Sequence, residues 1–594
     1  MSIDYLHPSV SSKITDNSEV FQTSQGTTAL FVASTFERGP DNVIREITSP
    51  DEYLFYYGKP NVSKYGQATL NTERWLKAGG KAFVLRVLPA TALYSNLFLT
   101  AKTGSEAKTI TITATNEKAG TASKAAIETL LTSEKANEIK LGAVIPKGRG
   151  KAYDGMGIRL SLRSDLDNTF ESRTYNLSIT VKDETGADVV VDGPYIVSFD
   201  PEARNLSRES IYWKEVVNKY SKYAEVLDNR SAFDKLAAYV LADKTEEDGE
   251  PVDPSHVDII FGVERSLFGK TETIHDGVKW TQSVDPEGEN YDEDAADLNN
   301  IVRLAAGSNG DFKGGDTEES LLVKAYSGVT VDSIRYPDQY EIDVILDGNY
   351  PAPVKNAIAE LCEAREDCIS ILDCSFQGDA EKTIAYRKDS ISMSNYRAAI
   401  FGQHMEVFDA HSGETVKVTS PYLLAERIPT IDNSMGIQNT FVGPRRGVVS
   451  GFSNINFYPN EQWKSNLYGA QVNYIERDPR KTNFATQLTS QVRNSALSQI
   501  NNVRVALRIQ RDVRKMMADY RMEFNDELTY DSMNYNLNNY LQKWTANRAC
   551  TIASGEVYAS AYDKQQNIVR VRIEVAFTGI IERVAIDINV VRRS

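Results

Sequence analysis

Residues 501–544 read NNVRVALRIQRDVRKMMADYRMEFNDELTYDSMNYNLNNYLQKW. Apolar side chains recur at helical spacing in both halves of this stretch, and a short polar turn separates the halves. The pattern predicts two amphipathic helices, one over 500–524 and one that begins at Asp531 as its N-cap. The apolar positions are Ile509, Val513, Met516, Tyr520 and Phe524 in the first half, and Met533, Leu537, Tyr540, Leu541 and Trp544 in the second.

Basic residues form a stripe along the first of these helices. They follow the spacing i, i+4, i+7 and i+11 and therefore share one face. This pattern is typical of the solvated face of an amphipathic helix. However, Asp512 and Asp519 give the stripe little i,i+4 neutralisation, so the face repels itself unless something acidic covers it. Both interpretations stay open. The stripe consists of Arg504, Arg508, Arg511 and Lys515.

Both ends of the chain carry β-compatible patterns. Residues 569–577 alternate between apolar and polar side chains, and so do residues 584–590, close to the C-terminus. Residues 1–20 have the composition of an extended arm. A patterned strand at a free terminus invites association with a partner strand. The apolar positions of the two terminal arms are Ile3, Tyr5, Val10 and Ile14, and Val584, Ile586, Ile588 and Val590.

The charge of the chain is unevenly distributed. Residues 440–594 hold 21 Lys and Arg against 14 Asp and Glu, whereas the remaining residues hold 45 against 68. A basic module suggests nucleic acid, but the acidic remainder and the lack of zinc-finger or RRM motifs argue against it. We expect an acidic protein surface as the partner. No apolar run approaches 18 residues and no secretory signal is present, so no membrane insertion is expected.

No cofactor, metal or catalytic residue is predicted. The four cysteines, Cys362, Cys368, Cys374 and Cys550, lack the C-x2-C spacing of zinc sites and are expected to be buried thiols in a reducing compartment. The five histidines are scattered. The segment 306–310 (AGSNG) is close to the nucleophile elbow G-x-S-x-G, which needs a helix directly after the serine. Loop-like residues follow instead, so a serine hydrolase is the weaker alternative.

The rest of the chain indicates a mixture of helices and strands. Segments 29–33 and 83–88 are typical of buried strands, with a helix over 65–78 between them. A strand–helix–strand unit over 340–346, 351–366 and 368–372 predicts a mixed α/β sheet. The region 90–195 is β-rich, residues 207–227 suggest an amphipathic helix, and residues 243–255 and 285–297 form acidic segments.

The stretch 501–544 resembles the C-terminal module of contractile tail sheath proteins of the bacteriophage myovirus type. A second match is GTTALFVASTFERGPDNVIREITSPDEYLFYYG at 26–58, followed by LKAGGKAFVLRVLP at 76–89. Weaker matches lie at 197–226 and 362–374. Because the four matches are collinear and spread over most of the chain, the resemblance is specific.

The resemblance implies an α+β, mixed α/β multidomain protein built by nested insertion. An inner α/β domain with terminal strand arms, a middle α/β domain and a β-rich outer insertion are expected. Subunits would exchange their terminal arms, and the basic stripe would face the tail tube. The implied domains are 1–20 with 446–594 (inner), 21–89 with 325–445 (middle), 90–195 (β-rich outer insertion) and 196–324 (second inserted domain).

The implied function is structural rather than enzymatic. The chain would be a virion protein that polymerises around the tail tube as a helical or stacked-ring homo-oligomer. The tail, assembled in the host bacterial cytoplasm, would contract to drive the tube through the host envelope for genome ejection. The implied partners are further copies of the chain, the tail tube protein, the baseplate and the tail terminator. A headless device, an R-type bacteriocin or a type VI-like system, is the alternative within the same class.

Overall fold

The computed structural model describes residues 27–103, 109–133, 137–162, 175–182, 185–198, 203–205, 207–229, 231–232, 235, 272–275, 278–282, 301–478, 481–580 and 582. The acidic segments 243–255 and 285–297 lie outside the described residues. Both sets of arm residues do as well, namely Ile3, Tyr5, Val10 and Ile14, and Val584, Ile586, Ile588 and Val590.

Twenty-three strands and fourteen α-helices are described. The strands are β1 (Ala29–Ser34), β2 (Ile44–Ile47), β3 (Lys81–Arg86), β4 (Leu97–Thr103), β5 (Thr109–Thr115), β6 (Glu138–Pro146), β7 (Gly157–Leu162), β8 (Tyr175–Lys182), β9 (Asp188–Val197), β10 (Ala224–Asp228), β11 (Glu272–His275), β12 (Val278–Gln282), β13 (Ile301–Arg303), β14 (Val344–Leu346), β15 (Ile369–Asp373), β16 (Ala398–Phe401), β17 (His404–Asp409), β18 (Glu414–Thr419), β19 (Val472–Asn473), β20 (Ile475–Asp478), β21 (Lys481–Phe484), β22 (Cys550–Tyr558) and β23 (Arg570–Phe577). The helices are α1 (Pro50–Tyr57), α2 (Val62–Tyr65), α3 (Gln67–Lys77), α4 (Lys124–Thr132), α5 (Trp213–Tyr220), α6 (Glu318–Tyr326), α7 (Ala352–Arg365), α8 (Ala380–Asp389), α9 (Pro421–Met435), α10 (Gly443–Arg446), α11 (Glu461–Gly469), α12 (Ile500–Ala518), α13 (Glu527–Ala546) and α14 (Ala561–Gln565).

A seven-stranded sheet forms the centre of the molecule, in the order β19-β16-β15-β14-β1-β3-β2. All neighbours are parallel except β2 and β3. Every residue of β1 is buried, as expected for a parallel strand that is covered on both faces. The predicted strand–helix–strand unit is confirmed as β14, α7 and β15, although β14 is shorter than predicted. Glu366 ends α7 in the left-handed conformation, with φ 65°.

The inserted region between β3 and α6 forms two further sheets. One has the order β10-β6-β4-β5-β12-β11 and the other β13-β7-β8-β9. Strand β10 pairs with β6 and strand β13 pairs with β7, so both sheets take strands from either side of residue 195. One apolar core joins Leu97, Ile158, Trp213 and Val302 across the two sheets. The division into inserted domains 90–195 and 196–324 is therefore wrong, because backbone pairing makes them one unit.

The helix predicted over 207–227 is also wrong in its extent. Helix α5 ends at Tyr220, and strand β10 begins only four residues later. The hydroxyl of Ser221 accepts hydrogen bonds from the backbone N–H groups of Tyr223 (3.2 Å) and Ala224 (3.0 Å). This local turn offers the backbone an alternative to further helix. Pairing of β10 with β6 then satisfies the following backbone groups.

The central domain extends past the predicted boundary at residues 445 and 446. Strand β19 joins β16 in the seven-stranded sheet. The central core also includes Leu467, Phe484 and Ile500. A separate core begins at Val505 and runs to the partly buried Phe577. Helix α12 therefore contributes to both the central core and the C-terminal core. Among the described helices, none combines the length and apolar composition that a bilayer crossing requires.

Candidate functional site

The C-terminal module contains the two predicted helices, α12 and α13, followed by a β-hairpin. Helix α12 ends at Ala518, earlier than predicted, and α13 begins at Glu527 rather than at Asp531. The N-cap is Asp526, whose side chain accepts a hydrogen bond from the backbone N–H of Thr529 at 3.0 Å. The prediction of Asp531 as the N-cap is therefore wrong, because Asp531 lies inside α13, whereas Asp526 lies in the polar turn before it.

Helix α13 covers one edge of the hairpin. The side chain of Asn538 bonds both backbone groups of Gly555, donating to the carbonyl at 2.8 Å and accepting from the N–H at 3.0 Å. Asn534 does the same for Val557, at 3.3 and 2.7 Å. These amides replace a neighbouring strand at Gly555 and Val557, so the backbone groups of these two residues on the outer edge of β22 are paired. Close approach requires Gly555, since a Cβ there would lie 2.4 Å from Leu537 Cδ2.

The opposite edge of the hairpin belongs to β23. In the part of the chain that the structure describes, β23 pairs with β22 alone. Gly555 and Val557 direct their backbone groups towards α13, so their partners Ile573 and Val571 direct theirs away from β22. Strand β23 therefore presents a row of backbone donors and acceptors at an edge where a further strand can add.

The basic stripe of α12 lies against the central sheet. Arg504 makes a bidentate ion pair with Asp432 of α9, Nη1 to Oδ1 at 3.0 Å and Nη2 to Oδ2. Asp432 also accepts a hydrogen bond from the hydroxyl of Thr28 at 2.6 Å. Arg504 is 6% exposed. Burial lowers the pKa of Arg504, but the facing Asp432 carboxylate raises it by a larger amount. The net pKa of Arg504 is therefore raised, and the ion pair stays charged.

Asp343 forms ion pairs with the next two arginines of the stripe, Arg508 and Arg511. Its Oδ1 lies 3.2 Å from Arg508 and 2.8 Å from Arg511, and its Oδ2 accepts from the Ala29 N–H at 2.9 Å. Burial raises the pKa of Asp343, whereas Arg511 and Arg508 lower it, and the net pKa is about 2. Arg511 also donates to the carbonyls of Ile342 and Asp367, next to strands β14 and β15. These contacts fix the helix to the central sheet at the amino ends of strands β1, β14 and β15.

Acidic side chains of the same chain cover the basic stripe. Asp432 and Asp343 cover Arg504, Arg508 and Arg511, and Glu341 pairs with the exposed Lys515. Contact between the stripe and a tube stays a prediction. However, Arg504 and Arg511 are buried, so they have no exposed charge to offer. No sequence pattern marked Asp432 or Asp343 as partners of the stripe, because they lie 72 and 168 residues from the arginines they bind.

The other chemical signals are structural. Cys362, Cys368, Cys374 and Cys550 are buried free thiols, as predicted. Ser308 pairs with Leu93 through two backbone hydrogen bonds, of 2.8 and 3.2 Å. The next α-helix begins only at Glu318. The strand–serine–helix turn of a nucleophile elbow is therefore not formed at this serine.

Neither protein-family models nor curated proteins match the chain, but solved structures do. The sheath tail protein Lin1278 from Listeria innocua is 10% identical and aligns over 93% of this chain and 92% of its own, with a TM-score of 0.50. The sheath tail protein DSY3957 from Desulfitobacterium hafniense is 8% identical over 93% of both chains, with a TM-score of 0.44. The contracted helical sheath of the anti-feeding prophage aligns at 16% identity over 49% of this chain and 78% of its own, with a TM-score of 0.38. The likeness to the Listeria protein shows that this chain has the sheath tail protein fold, a mixed α/β multidomain architecture.

Proposed function

We propose that the chain is the sheath subunit of a contractile injection machine. The observation that carries this proposal is the sheath tail protein fold over 93% of the chain. The collinear sequence resemblance to contractile tail sheath proteins supports it independently. The role requires no catalytic residue, because the work of contraction comes from the difference between two packings of the same subunits.

The C-terminal module supplies the linkage between subunits in this proposal. Strand β23 has an open edge, and the terminal arms 1–20 and 584–594 carry β-compatible patterns. Addition of an arm from another copy would pair the outward backbone groups of β23. Such a linkage would keep the copies connected while their bodies rotate. The ion pairs of α12 would transmit the movement, because they fix the module to the central sheet.

Within this class we propose a bacteriophage tail. The remaining partners follow from that proposal, namely a tail tube, a baseplate and a tail terminator, with a location in the virion tail. The large region inserted between β3 and α6 favours an elaborate tail over a minimal headless device. Immunogold labelling of particles from the producing culture distinguishes the two, since labelled tails joined to heads support a phage. Labelled headless sheaths support a bacteriocin or type VI-like device.

Electron microscopy of the overexpressed chain tests the general proposal. We expect hollow tubes or stacked rings in negative stain, because sheath subunits polymerise through their own surfaces. A fluorophosphonate probe for activated serines should leave Ser308 unlabelled. A monodisperse monomer at all concentrations, together with labelling of Ser308, would overturn the sheath proposal in favour of the hydrolase.

A further inference from the structure

A basic cavity lies where the central domain meets the inserted region. It has a volume of about 270 Å³ and lies beside α1, α4 and β10. Five cationic side chains line it, but Glu225 is its one lining carboxylate. The cations are Arg38, Arg45, Lys124, Lys147 and Lys222. The cavity plays no part in the contacts of the C-terminal module described above.

Four of the five cations have no carboxylate partner within the described part of the chain. Glu225 pairs with Lys124. The guanidinium of Arg45 lies 3.7 Å from the centroid of the Tyr56 ring, and the ammonium of Lys222 lies 5.7 Å from that of Phe55. These cation–π contacts orient the two cations without neutralising them.

The other two cations bond to backbone carbonyls only. Arg38 donates to the carbonyl of Leu54 at 3.1 Å, and its Nε is buried without a partner. Lys147 donates to the carbonyl of Ser221. The pKa of Lys147 is lowered: burial is the largest cause, Glu225 and Asp192 raise it, and Arg45 and Lys124 lower it. Positive charge is therefore in excess within this cavity.

A tyrosine adds an uncharged donor. Tyr153 is among the lining residues, and its hydroxyl accepts a hydrogen bond from the Gly39 N–H at 2.8 Å. Burial raises the pKa of Tyr153, so the hydroxyl keeps its proton at neutral pH. Apart from Glu225, the cavity therefore offers donors and positive charge, which is the arrangement that an acceptor-only ligand requires.

We propose that this cavity binds a multivalent oxyanion of the phosphate class. Two arginines supply the planar donor pairs that match phosphate oxygens, and the lysines supply point charges. Since a water molecule occupies about 30 Å³ in the liquid, the cavity has room for roughly nine, enough for phosphate or pyrophosphate. The lining comes from both the central domain and the insert, so a bound anion joins the two. This inference does not depend on assembly into a sheath.

Calorimetric titration of the full chain with inorganic phosphate and with pyrophosphate tests the proposal at low ionic strength. We expect saturable binding at one site, tighter for pyrophosphate. Arg45→Gln and Lys222→Gln should each weaken binding at least tenfold, since both cations have ring contacts but no ion pair to lose. Lys313→Gln removes the same charge from an exposed loop, and should leave the dissociation constant unchanged.

Thermal unfolding provides a second readout. Pyrophosphate should raise the melting temperature of the wild type, but not that of Arg45→Gln or Lys222→Gln, because a ligand stabilises the state that binds it. Equal binding by the wild type and both variants would overturn the proposal. The proposal would also be overturned if the wild type bound neither anion and the variants assembled poorly. That result would assign the cavity to carboxylates of a second copy of the chain.

Discussion

Lys355 lies between two buried carboxylates at the carboxyl ends of β14 and β15. Its Nζ is 2.5 Å from Asp347 Oδ2 and 2.6 Å from Asp373 Oδ1, and all three side chains are buried. Burial and the neighbouring Asp373 raise the pKa of Asp347 to about 6, against the opposing effect of Lys355. One cation thus holds two carboxylates together in the core. Sequence patterns did not reveal this cluster, because each of its members occurs singly in an otherwise ordinary segment.

Lys355→Met should destabilise the protein strongly at pH 7.5. Removing one partner of a buried ion pair costs about 3–5 kcal/mol, since the remaining charges are left uncompensated. Without the cation, the folded-state pKa of Asp347 would rise further above its unfolded value. The folded state would then bind more protons, so the penalty should shrink as the pH falls from 7.5 to 5. Urea unfolding at both pH values measures this.

The exposed Lys382 provides the matched control for this variant. Lys382→Met should change the free energy of unfolding by less than about 1 kcal/mol, with the same result at both pH values. A Lys355→Met penalty that is equally large at pH 5 would show that lost packing, rather than uncompensated charge, is responsible.

Arg504→Met should also destabilise the chain, although the side chain lies on the polar face of α12. It leaves the Asp432 carboxylate buried without its bidentate partner, and the expected loss is about 3–5 kcal/mol. Lys515→Met is the control on the same helix face. Its pair with Glu341 is exposed, so we expect a change of about 0–1 kcal/mol. Equal effects of the two substitutions in chemical denaturation would contradict the importance of the buried contact.

At the scale of elements, sequence patterns predicted the helices and strands whose conformation depends on local burial. The alternation in residues 569–577 and the apolar run at 29–33 became β23 and β1, because burial on one or both faces fixes such patterns. The helix predicted over 207–227 was too long, since pairing with β6 decides the conformation of 224–228. Likewise, the partners of the basic stripe were missed because Asp432 and Asp343 are far from α12 in sequence. Pairing between distant segments leaves no periodic signal.

Ile573→Pro should block assembly without unfolding the hairpin. The N–H of Ile573 points away from β22, so proline removes an outward donor and leaves the ladder to β22 intact. Ile573→Ala is the matched control, because it loses the same side chain but keeps the N–H. We expect tubes from the alanine variant and none from the proline variant in negative stain, with similar circular dichroism for both. Normal tubes from the proline variant would show that no strand adds at this edge.

At the scale of the whole molecule, the insert is one unit with a narrow base. Leu93 and Ser308 pair at that base, so the chain enters and leaves the insert at neighbouring positions. Replacing residues 94–307 by a short Gly/Ser linker should therefore leave a folded core that still forms tubes. Replacing only 95–190 should give insoluble protein, since β10 and β13 lose their partners. Solubility and electron microscopy of both deletions measure this. A soluble 95–190 deletion would show that the insert divides after all.

The terminal arms bear on how neighbouring copies of the chain are linked in an assembly. Strand β23 offers an open edge, while residues 1–14 and 584–594 carry β-compatible patterns. An unpaired edge and an unpaired strand both gain from joining, since backbone groups that leave water need partners. Deleting 1–14, or 584–594, should therefore give a soluble, folded monomer that forms no tubes. The C-terminal deletion should be the more damaging, because its apolar alternation is stricter. Size-exclusion chromatography, circular dichroism and negative-stain microscopy distinguish the outcomes. Normal tubes would exclude the arms as the linkage, whereas global unfolding would show that they complete the fold of their own chain.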